Sequence, residues 1–161
     1  HDVGEDFDTT LRDVFNLIPH KNQPTKKFPF KLVLNKSLFI IADSNSKESS
    51  LDEILLIIEK EKVFKKIYVV MHHALPEGLS NAANWSGRHD FIKNSFFEDK
   101  FKIKNNKEIF FLYGDGGAHK SAPRIKCLKL GNSFHMINGI GEFEGDSIFV
   151  ISNNILYRME I

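Results

Sequence analysis

The sequence predicts a layered α/β fold, with an α/β core followed by a β-rich C-terminal sheet, and three observations predict it. Strand-like and helix-like stretches alternate through the first two thirds of the chain. Two unbroken apolar runs, Ile67-Tyr68-Val69-Val70-Met71 and Ile109-Phe110-Phe111-Leu112-Tyr113, have the pattern of strands buried on both faces in a parallel sheet. After Gly117 short apolar segments separated by Gly and Asn replace the helices, which predicts an antiparallel β-meander.

The elements follow in order. Asp8-Thr9-Thr10 caps an apolar set at helical spacing, Leu11, Val14, Phe15 and Ile18, which ends at Pro19. Residues 21–29 hold two prolines and three lysines and suit an exposed loop. Phe30 to Leu34 and Leu38 to Ala42 flank the polar Asn35-Lys36-Ser37, a hairpin pattern. Past the polar stretch Ser44 to Ser50, Leu51, Ile54, Leu55 and Ile58 recur at i, i+3, i+4 and i+7 with charges between them, an amphipathic helix. The strand Ile67 to Met71 ends at His72-His73. A polar loop from Glu77 to Gly87 leads into a helix over Arg88 to Phe97, and the strand Ile109 to Tyr113 stops at Gly114-Asp115-Gly116-Gly117. The meander takes Arg124 to Leu130, Phe134 to Asn138, Ser147 to Ser152 and Ile155 to Ile161.

Composition narrows the function classes. The 161 residues are 42% hydrophobic, enough for a core, and show no linker, repeat or low-complexity tract, so residues 1–161 read as a single domain. The 22 basic and 21 acidic side chains nearly cancel, and no basic-aromatic stripe is present; neither feature draws the chain to nucleic acid or an anionic membrane. A single cysteine, Cys127, excludes an internal disulfide framework and multi-cysteine zinc motifs. No apolar run approaches the roughly 20 residues of a membrane span, and no signal peptide is visible. Compartment stays open. The chain begins at His1, without methionine.

In open α/β sheets ligands bind at the carboxyl ends of strands, so His72, His73, Asp115 and Asp43 are expected to converge on one rim. Neighbouring side chains at a strand end point to opposite sides. One of His72 and His73 is thus free to face the crevice, offering a nitrogen for a divalent metal, while the other packs. Gly114-Asp115-Gly116-Gly117 projects a carboxylate from a sharp turn, although Asp-Gly is also an ordinary turn sequence. His119 is a further nitrogen nearby. No Gly-Lys-Ser/Thr follows the glycines, which excludes a P-loop, and Ser86-Gly87 lies outside any Gly-x-Ser-x-Gly elbow. His20, His89 and His135 are assigned to structure, His135 as a solvent-facing strand residue, and Cys127 is expected to be a buried, inert thiol. Trp85 and Arg88, in the loop after His72, are candidates for substrate contact.

Together these blocks resemble the C-terminal half to two thirds of a calcineurin-like metallophosphoesterase. That family carries Asp-x-His, Gly-Asp-x-x-Asp and Gly-Asn-His-Asp/Glu, then a later His block and Gly-His-x-His. His1-Asp2 resembles the end of the third block, Met71-His72-His73-Ala74-Leu75-Pro76 resembles the later histidine block, and Gly114-Asp115-Gly116-Gly117 stands where Gly-His-x-His is expected. The resemblance implies an α/β/β/α sandwich, incomplete at its N-terminus in this chain, and hydrolysis of a phosphate ester by water activated between two divalent metal ions of the Mn, Fe or Zn class. It implies His72 and Asp115 as metal ligands, with His119 as a substitute donor. It implies His1 as the group that stabilises the phosphoryl transition state or protonates the leaving group, oriented by Asp2. The first two blocks are absent from these 161 residues, so the chain by itself is expected to be inactive. Gly117 has no side chain to bind a metal, which leaves a competing expectation of a degenerate, non-catalytic binding or scaffold module.

Overall fold

The computed structural model describes residues 28–34, 36–42, 44, 51–79, 92–102, 107–114, 126–138, 147–152 and 155–160. The helix expected over residues 11–18 lies outside them.

Strand β1 (Phe30–Leu34) turns through Lys36, in a left-handed conformation at φ 66°, into β2 (Ser37–Ile41). Helix α1 (Leu51–Lys60) follows, with Asp52 and Glu53 in its first turn and Lys60 in its last, charges placed to complement the helix dipole. Its apolar stripe buries Ile54, Leu55 and Ile58, as the spacing requires. Beyond its C-terminus the Glu61 carboxylate accepts the amides of Val63 and Phe64, which holds its pKa below the ordinary value. The Lys107 ammonium donates to the carbonyls of Ile58 and Glu61, satisfying acceptors that the helix leaves open.

Strand β3 (Lys66–Met71), helix α2 (Asn94–Lys100), β4 (Glu108–Tyr113), β5 (Lys126–Leu130) and β6 (Ser133–Ile137) complete a six-stranded sheet in the order β1-β2-β3-β4-β6-β5. β2, β3, β4 and β6 are parallel neighbours, while β1 and β5 close the two edges antiparallel. The parallel arrangement accounts for the unbroken apolar runs: the face under the two helices is buried, and the other face is apolar as well, half-buried at Phe39, Phe110 and Phe134.

The two faces differ in what they carry. On one, Ile40, Val69, Phe111, His135 and Leu128 stand in register under α1 and α2, and Phe97 of α2 is fully buried against Phe111 and His135. On the other, Phe39, Tyr68, Phe110 and Phe134 form a continuous row of stacked rings, each about 5 Å from the next, capped by the Lys129 ammonium over Phe134. Gly131, at φ 61° between β5 and β6, fits because a Cβ there would stand 2.6 Å from the carbonyl oxygen of Phe101.

Several expectations need correction. The C-terminal segments do not form one antiparallel meander. β6 adds parallel to β4, β5 folds back outside it, and β7 (Ser147–Ser152) with β8 (Ile155–Glu160) makes a separate antiparallel hairpin. The helix expected over residues 88–97 begins later, at Asn94. Ile92 is taken by the loop after β3, its amide bonded to the Leu75 carbonyl and its own carbonyl accepting from the Glu77 amide, so it cannot share the helical ladder. Cys127 is exposed, because β5 is an edge strand, although partial desolvation pushes its thiol pKa up. His135 is fully buried because it stands on the face of β6 that packs against Phe97 and Phe111, while the apolar and half-buried Phe134 and Met136 take the other face. No helix among the described residues is long and apolar enough to cross a membrane.

Candidate functional site at the carboxyl ends of the parallel strands

Parallel pairing brings the ends of β2, β3, β4 and β6 to one rim. The β3–β4 register sets Met71 beside Tyr113, so the next residues, His72 and Gly114, leave the sheet together. The Gly114 amide donates to the carbonyls of both Met71 and His72 at 3.1 Å. A Cβ at residue 114 would lie 3.6 Å from His72 Nδ1, so the imidazole stands on the side of Gly114 where a side chain would begin.

The two histidines divide as strand geometry demands. His73 is buried, and its ring meets that of His72 edge-on with centroids 4.6 Å apart. Its amide donates to Ser44 Oγ at 3.0 Å, and the same hydroxyl shares a 2.8 Å hydrogen bond with His73 Nδ1. Ser44 follows the end of β2, so this pair ties two neighbouring strand ends together. His72 is half-buried at the rim. The Asn138 amide continues the pairing at the end of β6, donating to the Tyr113 carbonyl at 2.9 Å, and its side chain is buried at the same rim.

Beneath the rim lies a buried polar chain. The Tyr113 hydroxyl and His135 Nδ1 are 2.9 Å apart, His135 Nε2 is 2.9 Å from Ser133 Oγ, and Ser133 Oγ donates to the Leu130 carbonyl at 2.7 Å. A hydroxyl has one proton, and Ser133 spends it on Leu130. Ser133 Oγ therefore accepts from Nε2–H, Nδ1 is the acceptor on the other side of the ring, and the Tyr113 O–H points at it. Burial suits this neutral imidazole, lowering the His135 pKa to about 3. The Tyr113 pKa is raised well above its ordinary value by burial.

Of the expected site residues, His72 is described and stands at the rim; His1, Asp2, Asp115 and His119 lie outside the described residues, as do Asp43, Trp85 and Arg88. Among the described residues no three His, Cys, Asp or Glu side chains converge as a metal site. Ser44, Tyr113, Ser133 and Asn138 were not singled out from the sequence. Ser44 and Asn138 carried a legible signal, since each is a polar residue just past an apolar strand. Ser133 and Tyr113 carried none, because their partner His135 is distant from Tyr113 in the chain. No family model, curated protein or solved structure matches the chain.

Proposed function

We propose that this chain supplies the later metal-binding blocks of a metallophosphoesterase-like α/β/β/α sandwich and serves in the metal-dependent hydrolysis of a phosphate ester. The observation that carries this reading is the common ending of β3 and β4, with the His72 ring against Gly114 at the entry to Asp115. Two blocks that are remote in sequence thereby fall side by side, at the sheet end where α/β folds bind ligands. The donor chemistry fits a divalent cation: a half-buried imidazole on a rigid strand end, and a carboxylate that follows directly from its neighbour. The stacked row of Phe39, Tyr68, Phe110 and Phe134 supports the sandwich, since such an apolar sheet face suits a second layer.

In this reading His72 and Asp115 hold the cation, with His119 as a further donor. His1 hydrogen-bonds the phosphoryl oxygens or protonates the leaving group, and Asp2 orients it. Bound divalent ions supply electrophilic polarisation of the phosphoryl group. The Ser44–His73 bonds tie the residue next to His72 to the end of β2 and so keep the β3 end fixed.

Gly117 favours a second reading, in which the chain is a non-catalytic binding or scaffold module, because glycine offers no ligand where the resembled family has histidine. Metal content and turnover of p-nitrophenyl phosphate by the natural gene product separate the two. The enzyme reading expects bound Mn, Fe or Zn and turnover that His72→Ala lowers by about a hundredfold or more. Absence of both metal and turnover would leave the scaffold reading.

A further inference from the structure

We propose that Ser44 is a positioning residue for His72, acting through the ring of His73. The importance of His72 rests on the functional reading above, while the link from Ser44 to His72 stands on hydrogen bonds and a ring contact.

Ser44 is carried by a rigid element. β2 keeps pairing with β3 past its own last residue, where the Ala42 amide donates to the Val70 carbonyl at 2.9 Å, and Ser44 follows two residues later. From there its hydroxyl meets one residue twice. The His73 amide donates to Ser44 Oγ at 3.0 Å, and Oγ shares a 2.8 Å hydrogen bond with His73 Nδ1. A hydroxyl has one proton and two lone pairs. The amide takes one lone pair, and either the proton or the second lone pair serves Nδ1, so the double grip holds for both neutral tautomers of the imidazole. Because one bond fixes the backbone and the other the ring, the His73 side chain cannot change rotamer without giving up the Nδ1 bond. His73 is only 6% exposed, so water does not replace a bond lost there.

The fixed ring in turn bounds His72. The backbone bends at His72 and His73, and the two rings meet edge-on, with centroids 4.6 Å apart and planes at 82°. The Nδ1 edge of His72 faces the point where a side chain at 114 would begin, and glycine puts nothing there. The His73 ring therefore supplies a wall that Gly114 does not. A ligating imidazole is held in one orientation by its neighbours. Through one intervening ring, Ser44 ties that orientation to β2, on the opposite side of β3 from the strand that leads to Asp115.

The test is Ser44→Ala in the full chain, with Ser44→Thr as the conservative variant that keeps a hydroxyl. The His72 side-chain rotamer, from NMR couplings, and site-resolved amide exchange are followed together, and Mn2+ affinity is followed by titration. In the wild type His72 is expected to hold one rotamer. In Ser44→Ala the His73 amide is expected to exchange about tenfold faster while Val69 and Phe111, within the strands, keep their rates. His72 is then expected to average over rotamers, with Mn2+ affinity lower by about threefold or more. Ser44→Thr is expected to restore the single rotamer. Unchanged His73 exchange in Ser44→Ala, a single His72 rotamer retained there, or Ser44→Thr behaving as Ser44→Ala would overturn the proposal. Should Ser44→Ala not fold, His73→Leu, which keeps the amide and removes the ring, decides it by the same His72 couplings. Failure of wild-type protein to bind Mn2+ would count against the metal reading alone, since the His72 rotamer decides the positioning role separately.

Discussion

The His72 imidazole lies beside Gly114 across the ends of two parallel strands, with Nδ1 3.6 Å from the point where a side chain at 114 would begin. That separation is ordinary van der Waals contact, so a single methyl fits, while the further methyls of a branched side chain extend past that point. Gly114→Ala is expected to keep the His72 signals and change stability by no more than about 0.5 kcal/mol. Gly114→Val is expected to displace the ring, read as a changed His72 imidazole spectrum in a protein that is still folded.

His135 makes stability depend on pH in a defined direction. Its folded-state pKa of about 3 lies below the ordinary 6.5, so the unfolded chain takes up a proton that the folded chain refuses. This contribution is fully present above pH 6.5 and is lost as pH falls through 6.5 toward 3, by an amount on the order of 5 kcal/mol. Urea unfolding across that window, compared with His135→Gln, isolates it from the carboxylates common to both proteins. The variant is expected to be less stable at neutral pH and to lose less on acidification.

Tyr68 is fully buried in the aromatic row, and its hydroxyl has no hydrogen-bond partner among the described residues. The sheet needs the ring and derives nothing from the oxygen, while burial pushes the phenol pKa up. Tyr68→Phe is therefore expected to hold or raise stability, by about 1 kcal/mol. A clear loss in the urea midpoint would show that the hydroxyl has a partner.

Gly131 is excluded from substitution twice over, by its positive φ and by the carbonyls of Phe101 and Glu98 close to any Cβ. Because the Asn132 amide donates to Phe101 at 2.7 Å, the turn has no room to move away. Gly131→Ala is expected to cost about 2 kcal/mol or more, seen as a lower urea midpoint at unchanged slope.

Local pattern carried much of this fold. The hairpin around Lys36, the amphipathic helix from Leu51, and the runs at Ile67 and Ile109 were legible because their apolar period is a property of a few neighbouring residues. The same runs implied that His72 and Gly114 end parallel strands. What pattern left out was the pairing between distant segments. β5 and β6 are joined by a tight Gly131-Asn132 turn in any arrangement, and nothing in their sequence says that β6 inserts beside β4. His135 was misjudged for that reason: alternation in a strand marks a wet face only when one face is polar, and β6 has two apolar ones. The chain from Tyr113 to Leu130 joins residues of β4, β6 and β5, and no local spacing announces it.

The central claim is that His72 and Asp115 form a divalent cation site, and Mn2+ titration of wild type, His72→Ala and Asp115→Asn by calorimetry tests it most directly. Saturable binding in the wild type, weakened about tenfold or more in each variant, is the predicted result. Absence of wild-type binding, or His72→Ala binding as tightly as wild type, would contradict it.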